Sequence, residues 1–148
     1  WHQGENDQGE SGATGTYGWV NYEEYFIRMS AAWKQDYPNV KHYYIHQIWP
    51  GACGSRSVEG DRLRERQRQL PQQFSNMSVL STLGIRPGGG CHFQAEGYAA
   101  MAGQLFPLVN QYNYGVEPKA SITPPNIESV SYLSDRKDKI QSTSNIFP

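Results

Sequence analysis

Apolar side chains recur at a helical period in three stretches of the chain. Tyr22, Tyr25, Phe26, Met29 and Trp33 fall at offsets 0, 3, 4, 7 and 11, one stripe of a 3.6-residue helix, with Asn21 ahead of it as an N-cap and Pro38 marking its end. Residues 58–70 read as a second helix capped by Asp61, with Leu63 and Leu70 inward, the arginines on a solvated face and Pro71 as the stop. After Phe93, the side chains of Tyr98, Met101, Ala102, Leu105 and Val109 repeat the same spacing and predict a third helix. Between the helices lie two runs of strand character. Lys41 to Trp49 is rich in aromatic and β-branched residues and is closed by Pro50-Gly51, and Met77 to Leu83 is a second such run. The first reads as a central strand.

The order helix, strand, helix, strand, helix implies parallel strands joined by right-handed crossovers, and hence an α/β fold, a three-layer sandwich of a parallel sheet flanked by helices. Residues 1–20 are glycine-rich and poor in aliphatic side chains, which is loop chemistry. Beyond Tyr114 the texture changes. Pro118, Pro124 and Pro125 make an extended linker, after which Ile127 to Leu133 and Asp138 to Gln141 flank the turn-like Ser134-Asp135-Arg136-Lys137 as a hairpin opening a β module. Two regions follow: 1–114, and 115–148 as a linker with the start of a truncated β domain. Gln141 to Pro148 reads as a polar tail.

Charge narrows the function classes. Thirteen Lys plus Arg stand against fourteen Asp plus Glu in 148 residues, for a net charge of -1, which argues against a strongly basic nucleic-acid binder. The apolar runs are far shorter than the roughly 18 residues that span a bilayer, so no membrane partner is expected. Hydrophobic content is 37% and mean hydropathy is -0.71. Ten Tyr and four Trp must therefore supply much of the core, since an aromatic side chain buries a large area and keeps a polar end. The chain opens on Trp1 without an initiator Met and reads as a fragment, so the lack of a targeting signal is uninformative about location.

In open α/β sheets ligands sit beyond the carboxyl ends of the strands, which directs attention to Trp1 to Asp7 and to Gly88 to Phe93. Taken alone, each segment reads equally well as a turn. Cys53 follows the first strand and Cys91 immediately precedes His92, so the two could bridge at the carboxyl edge of the sheet and stiffen the His92 loop, or be two unrelated buried thiols. His2, Glu5, His42, His46, Cys53, Cys91 and His92 form no metal-ligand spacing such as His-Glu-x-x-His or Cys-x-x-Cys. Neither a metal nor any other cofactor is expected. His42, Tyr44 and His46 fall on one face of the first strand, where packing accounts for them.

Trp1-His2-Gln3-Gly4-Glu5-Asn6-Asp7 contains Gly-x-Asn-Asp, and Cys91-His92-Phe93-Gln94-Ala95-Glu96-Gly97-Tyr98 places a His just before a helix. In that order and spacing the two segments resemble the third and fifth sequence blocks of the SGNH (GDSL-like) hydrolases. The closer likeness within that superfamily is to the carbohydrate esterases of the sialate O-acetylesterase and acetylxylan esterase groups, in which Trp-His-Gln-Gly-Glu is typical. Leu63-Arg64-Glu65-Arg66-Gln67 also looks like that group's Leu-Arg-Glu-x-Gln helix. The likeness covers residues 1 to about 110.

The resemblance implies an acetylesterase acting on an acetylated carbohydrate by Ser-dependent acyl transfer, in a secreted or periplasmic setting. It makes His92 the general base, because an imidazole with pKa near 6.5 can take a serine proton and return it to the leaving alcohol. Gln3 is the first candidate for the oxyanion hole, with Gly4 and Asn6 beside it. The family's Gly-x-Ser nucleophile block is absent from these residues, and Ser11 does not complete Gly-x-Ser-x-Gly. The expected serine therefore lies upstream of this fragment. The family's acid, three residues before the His, is replaced by Gly89. A backbone carbonyl, or Asp7 or Glu5, is left to orient His92, and Glu96 is expected to face solvent. Trp1 and Trp49 are candidate stacking faces for a sugar ring, with core packing as their other use. The alternative function is a carbohydrate-binding or adaptor module that keeps the fold without catalysis.

Overall fold

The computed structural model describes residues 1–8, 17–54, 58–85, 90–122, 126–132 and 140–145. The chain divides into two compact units, Trp1–Glu117 and Pro118–Pro148. The first holds α1 (Trp19–Asp36), β1 (Tyr43–His46), α2 (Val58–Gln69), β2 (Met77–Leu80) and α3 (Ala95–Tyr114). β1 and β2 pair in parallel, Tyr43 against Met77 through His46 against Leu80. The ladder is extended by Tyr43 N–H to Asn76 O at 2.8 Å and Gln47 N–H to Leu80 O at 2.9 Å. Both strands are shorter than the runs of strand-forming residues that announce them.

The two-residue alternation of a strand sorts the helices onto the two faces of the sheet. Tyr43, Ile45 and Met77 join Tyr22 and Phe26 of α1 and Leu63 of α2, together with Leu70, in one buried cluster, against which Trp33 and Phe74 also pack. On the other face His42 stacks on Tyr112 of α3 at 3.8 Å, and the Tyr44 hydroxyl bonds to Asn113. A second cluster of Ile85, Phe93 and Met101, with Trp49 against it, lies near the start of α3. Among the described residues the first unit is thus a mixed α/β structure with three α-helices and a small parallel sheet.

Three details depart from the sequence expectation. α1 begins at Trp19 rather than after Asn21, because Asp7 Oδ1 accepts the Gly18 N–H at 3.0 Å and the Gly18 carbonyl takes the first helical bond from Tyr22 N–H at 3.0 Å. Asn21 lies inside the helix, and Gly18 holds the N-cap position. α2 begins at Val58, which places Asp61 in its first turn, where it pairs with Arg64 and where a negative charge complements the helix dipole. In α3 the buried stripe is Gly97, Met101 and Leu108, whereas Tyr98 is 48% exposed, Ala102 is exposed, and Leu105 and Val109 are half-buried. The helix rolls toward Gly97 because a Cβ there would meet Phe93 at 2.9 Å, so only glycine lets that ring close on the helix.

The second unit contains an antiparallel hairpin of β3 (Asn126–Tyr132) and β4 (Ile140–Asn145). Its register shifts between Ile127 and Ser129, the signature of a bulge. The residues from Gln141 to Asn145, expected as a tail, form most of β4. A ladder needs backbone groups rather than apolar side chains, and β3 supplies them. The turn at Ser134 to Lys137 lies outside the described residues.

Candidate active site

The carboxyl ends of β1 and β2 are where the first segment of the chain and the loop before α3 converge. Trp1 lies alongside β1: its backbone nitrogen donates to Tyr44 O at 2.7 Å, and His46 N–H donates to Trp1 O at 2.9 Å. These are the two bonds of a parallel bridge, and they put β1 between Trp1 on one side and β2 on the other. The Trp1 ring meets Trp33 edge-on at 5.2 Å, and its Nε1–H donates to the Tyr22 hydroxyl at 3.3 Å.

Gln67 fixes the next residues. Fully buried on α2, it donates to Gln3 O at 3.1 Å and to the Tyr22 hydroxyl at 3.1 Å, and accepts from Ile48 N–H at 3.1 Å. Gly4 follows at φ 133, in a region open only to glycine, and a Cβ there would meet Ile48 Cγ2 at 3.0 Å and Leu63 Cδ2 at 3.2 Å. The segment can therefore lie flat on the core at no other residue type. Its carbonyl accepts Asp7 N–H at 2.9 Å and Gln8 N–H at 3.2 Å, which starts the short turn Asn6–Gln8.

The Gln3 side chain points back at that turn. Its Nε2 donates to Asp7 Oδ2 at 3.2 Å, while Asp7 Oδ1 holds Gly18 as described. Asp7 is 6% exposed and both its oxygens are thus engaged. The other acid, Glu5, lies 3.3 Å from His2 Nε2. Opposite, His2 Nδ1 lies 3.3 Å from His46 O. When protonated, the His2 ring donates from both nitrogens, and its pKa is raised, chiefly by the bond to Glu5. The same bond lowers Glu5. His46 is buried, and that burial pushes its pKa down to about 4.

His92 sits on the neighbouring loop. Cys91 is joined to Cys53 by a disulfide, and Cys53 N–H donates to Gly90 O at 3.0 Å. Cys53 adopts a left-handed φ of 59, a conformation that costs a residue with a Cβ about 1 kcal/mol and that these two links hold in place. Phe93, buried against Gly97, packs its ring 5.9 Å from that of His2. Hence the two segments singled out in the sequence are neighbours, and Trp49 packs on the same cluster as Phe93. His92 itself is exposed.

Some of the anticipated partners lie elsewhere. Among the described residues, neither Asp7 nor Glu5 is bonded to His92: the first is committed to Gln3 and Gly18, the second to His2. Asn6 is exposed at the start of its turn. Gly89 and Ser11 lie outside the described residues. Trp1, Gln3, Asp7, Tyr17, Tyr22 and Tyr25 share the lining of a cavity of about 450 Å³ on the α1 side; His92 is not among its walls. A serine and a histidine do meet at the opposite end of the sheet, where His42 Nε2 is 2.9 Å from Ser78 Oγ. Ser78 is 7% exposed and Tyr112 stacks on the His42 ring, so both side chains are engaged in packing the sheet against α3. No group of three or more His, Cys, Asp or Glu that could hold a metal is found among the described residues.

Gln67, Tyr22 and Gly97 are the positioning residues that sequence reasoning did not assign. Gln67 had a readable signal, since it falls on the apolar stripe between Leu63 and Leu70 where a polar side chain requires buried partners. Comparison with models of known protein families, with characterised proteins and with solved structures finds no match.

Proposed function

We propose that the chain is part of an SGNH-type, three-layer carbohydrate O-acetylesterase, of the sialate O-acetylesterase or acetylxylan esterase kind, working by Ser–His acyl transfer. The observation that carries this reading is the meeting of Trp1–Asp7 with the His92 loop at the carboxyl ends of the strands, through His2 against Phe93. Those are the two segments on which the likeness rests, and the fold brings them together across about ninety residues of sequence.

In this reading a serine supplied from outside these 148 residues attacks the acetyl carbonyl. His92 takes its proton and passes it to the leaving sugar hydroxyl; a water then gives acetate and returns the serine. Gln3 donates to the oxyanion of each tetrahedral intermediate. The Trp1 cavity has Gln3 and aromatic side chains in its walls and a volume in the range of small-molecule sites, which suits the acceptor side of the reaction, and His92 stands outside it. The disulfide suits an oxidising compartment, secreted or periplasmic.

A fluorophosphonate, which reacts only with activated serines, tests this on the native source protein. The expected result is one labelled serine outside this chain, with hydrolysis of an aryl acetate abolished in His92→Ala and cut about 10²-fold in Gln3→Ala. An unlabelled protein, or full rates in both variants, overturns the esterase reading. The exposed His92, with no carboxylate bonded to it among the described residues, is the observation that favours the second reading, a carbohydrate-binding module without catalysis. That reading requires retained sugar binding by the unlabelled protein.

A further inference from the structure

We infer that Asp7 is a positioning residue for the oxyanion hole: it holds the Gln3 side-chain amide so that one N–H is spent on the carboxylate and the other is aimed at substrate. The inference rests on the esterase reading and deepens it. A carboxamide nitrogen carries two hydrogens. Gln3 Nε2 gives one to Asp7 Oδ2 at 3.2 Å, and the second has no acceptor among the described residues. The main-chain end of Gln3 is held separately, by Gln67 Nε2 at 3.1 Å and the Tyr22 hydroxyl at 3.3 Å on its carbonyl. A flexible side chain is thus gripped at both ends.

Asp7 is itself held. It is 6% exposed, its other oxygen accepts the Gly18 N–H, and its own N–H is bonded to Gly4 O at 2.9 Å. A buried acceptor-only group beside the amide also settles which way the amide faces: nitrogen toward Asp7, since an oxygen there would oppose the carboxylate. Preorganised donors of this kind act because they need no reorientation when charge develops. Gln3 and Asp7 both line the Trp1 cavity, so the second N–H has room for a ligand oxygen. The sequence suggested a different use for Asp7, as partner of His92, and the geometry assigns it to the electrophilic side of the reaction instead.

The test is a double-mutant cycle in the native source protein, read as kcat and KM for an aryl acetate. Asp7→Asn keeps an acceptor for Gly18 but presents an amide to an amide. Its kcat is expected to fall about 10- to 100-fold with little change in KM, as misplaced catalytic groups do. In the Gln3→Ala background the same change is expected to cost less than about 2-fold, because there is no amide left to aim. Equal losses in both backgrounds, or an unchanged kcat in Asp7→Asn while Gln3→Ala is impaired, overturn the inference and leave the esterase reading standing. Full activity in Gln3→Ala overturns the oxyanion assignment and this inference with it.

If Asp7→Asn does not fold, Gln3→Glu tests the same contact. Two adjacent carboxylates share a proton, so the ratio of its rate to the wild-type rate is expected to rise as pH falls. A ratio independent of pH overturns the inference.

Discussion

His46 and His42 occupy the α3 face of β1 as neutral rings, and burial is the first cause of the drop of each to about 4. In the unfolded chain both titrate near 6.5. The unfolded state therefore binds more protons between these values, and the stability that the neutral rings contribute is complete above about pH 6.5 and is lost as pH falls toward 4. For His46 alone the effect is on the order of 3 kcal/mol. His2 has the opposite sign: its pKa is raised, so its contribution is present below 6.5 and is lost as pH rises through its folded value. Urea titrations at a series of pH values are expected to show the midpoint falling from pH 6.5 to 4, and the fall to be halved or more by H42Q with H46Q. A midpoint that is flat across that window would remove the buried-neutral account of both rings.

At the scale of elements, the disulfide joins two loops 38 residues apart in sequence, and Cys91 abuts His92. Breaking it in C53S or C91S is expected to raise hydrogen exchange in residues 90–93 while leaving that of β1 and β2 unchanged and, on the proposed esterase reading, to lower aryl acetate turnover in the native source protein several-fold. Unchanged exchange at 90–93 would mean that Phe93 against Gly97 holds the loop unaided. The alternation of helix and strand was legible because each element carries its own periodicity. The helix starts were not, because Gly18 is fixed by Asp7, eleven residues before it in sequence, and Asp61 has no cap to supply once the helix reaches back to Val58. The buried stripe of α3 was also hidden. It contains a glycine, and Tyr98 and Leu105 advertise a different face, so hydrophobicity pointed away from the side chosen by close approach to Phe93.

At the scale of the whole molecule, the two buried clusters found among the described residues belong to the first unit. The candidate site was legible in part. His92 and Gln3 were singled out, and Cys53 and Cys91 offered as a bridge that the structure contains, by residue type and neighbours along the chain, with the rule that ligands sit beyond strand ends directing attention to their segments. What could not be read was which acid serves which partner. Asp7 and Glu5 are two residues apart, and only the folded backbone sends one to Gln3 and the other to His2.

Trp1 meets Trp33 edge-on, and Trp33 in turn stacks on Tyr43 at 6.1 Å. Chromophores this close share their excited states, so the molecule carries its own optical gauge of whether its first residues are docked on the sheet. The paired-indole signal in the far-ultraviolet circular dichroism should vanish when Trp1 lifts from β1, even while every helix stays folded. Binding in the adjoining cavity can then be followed without a label, as a change in the colour and brightness of tryptophan emission.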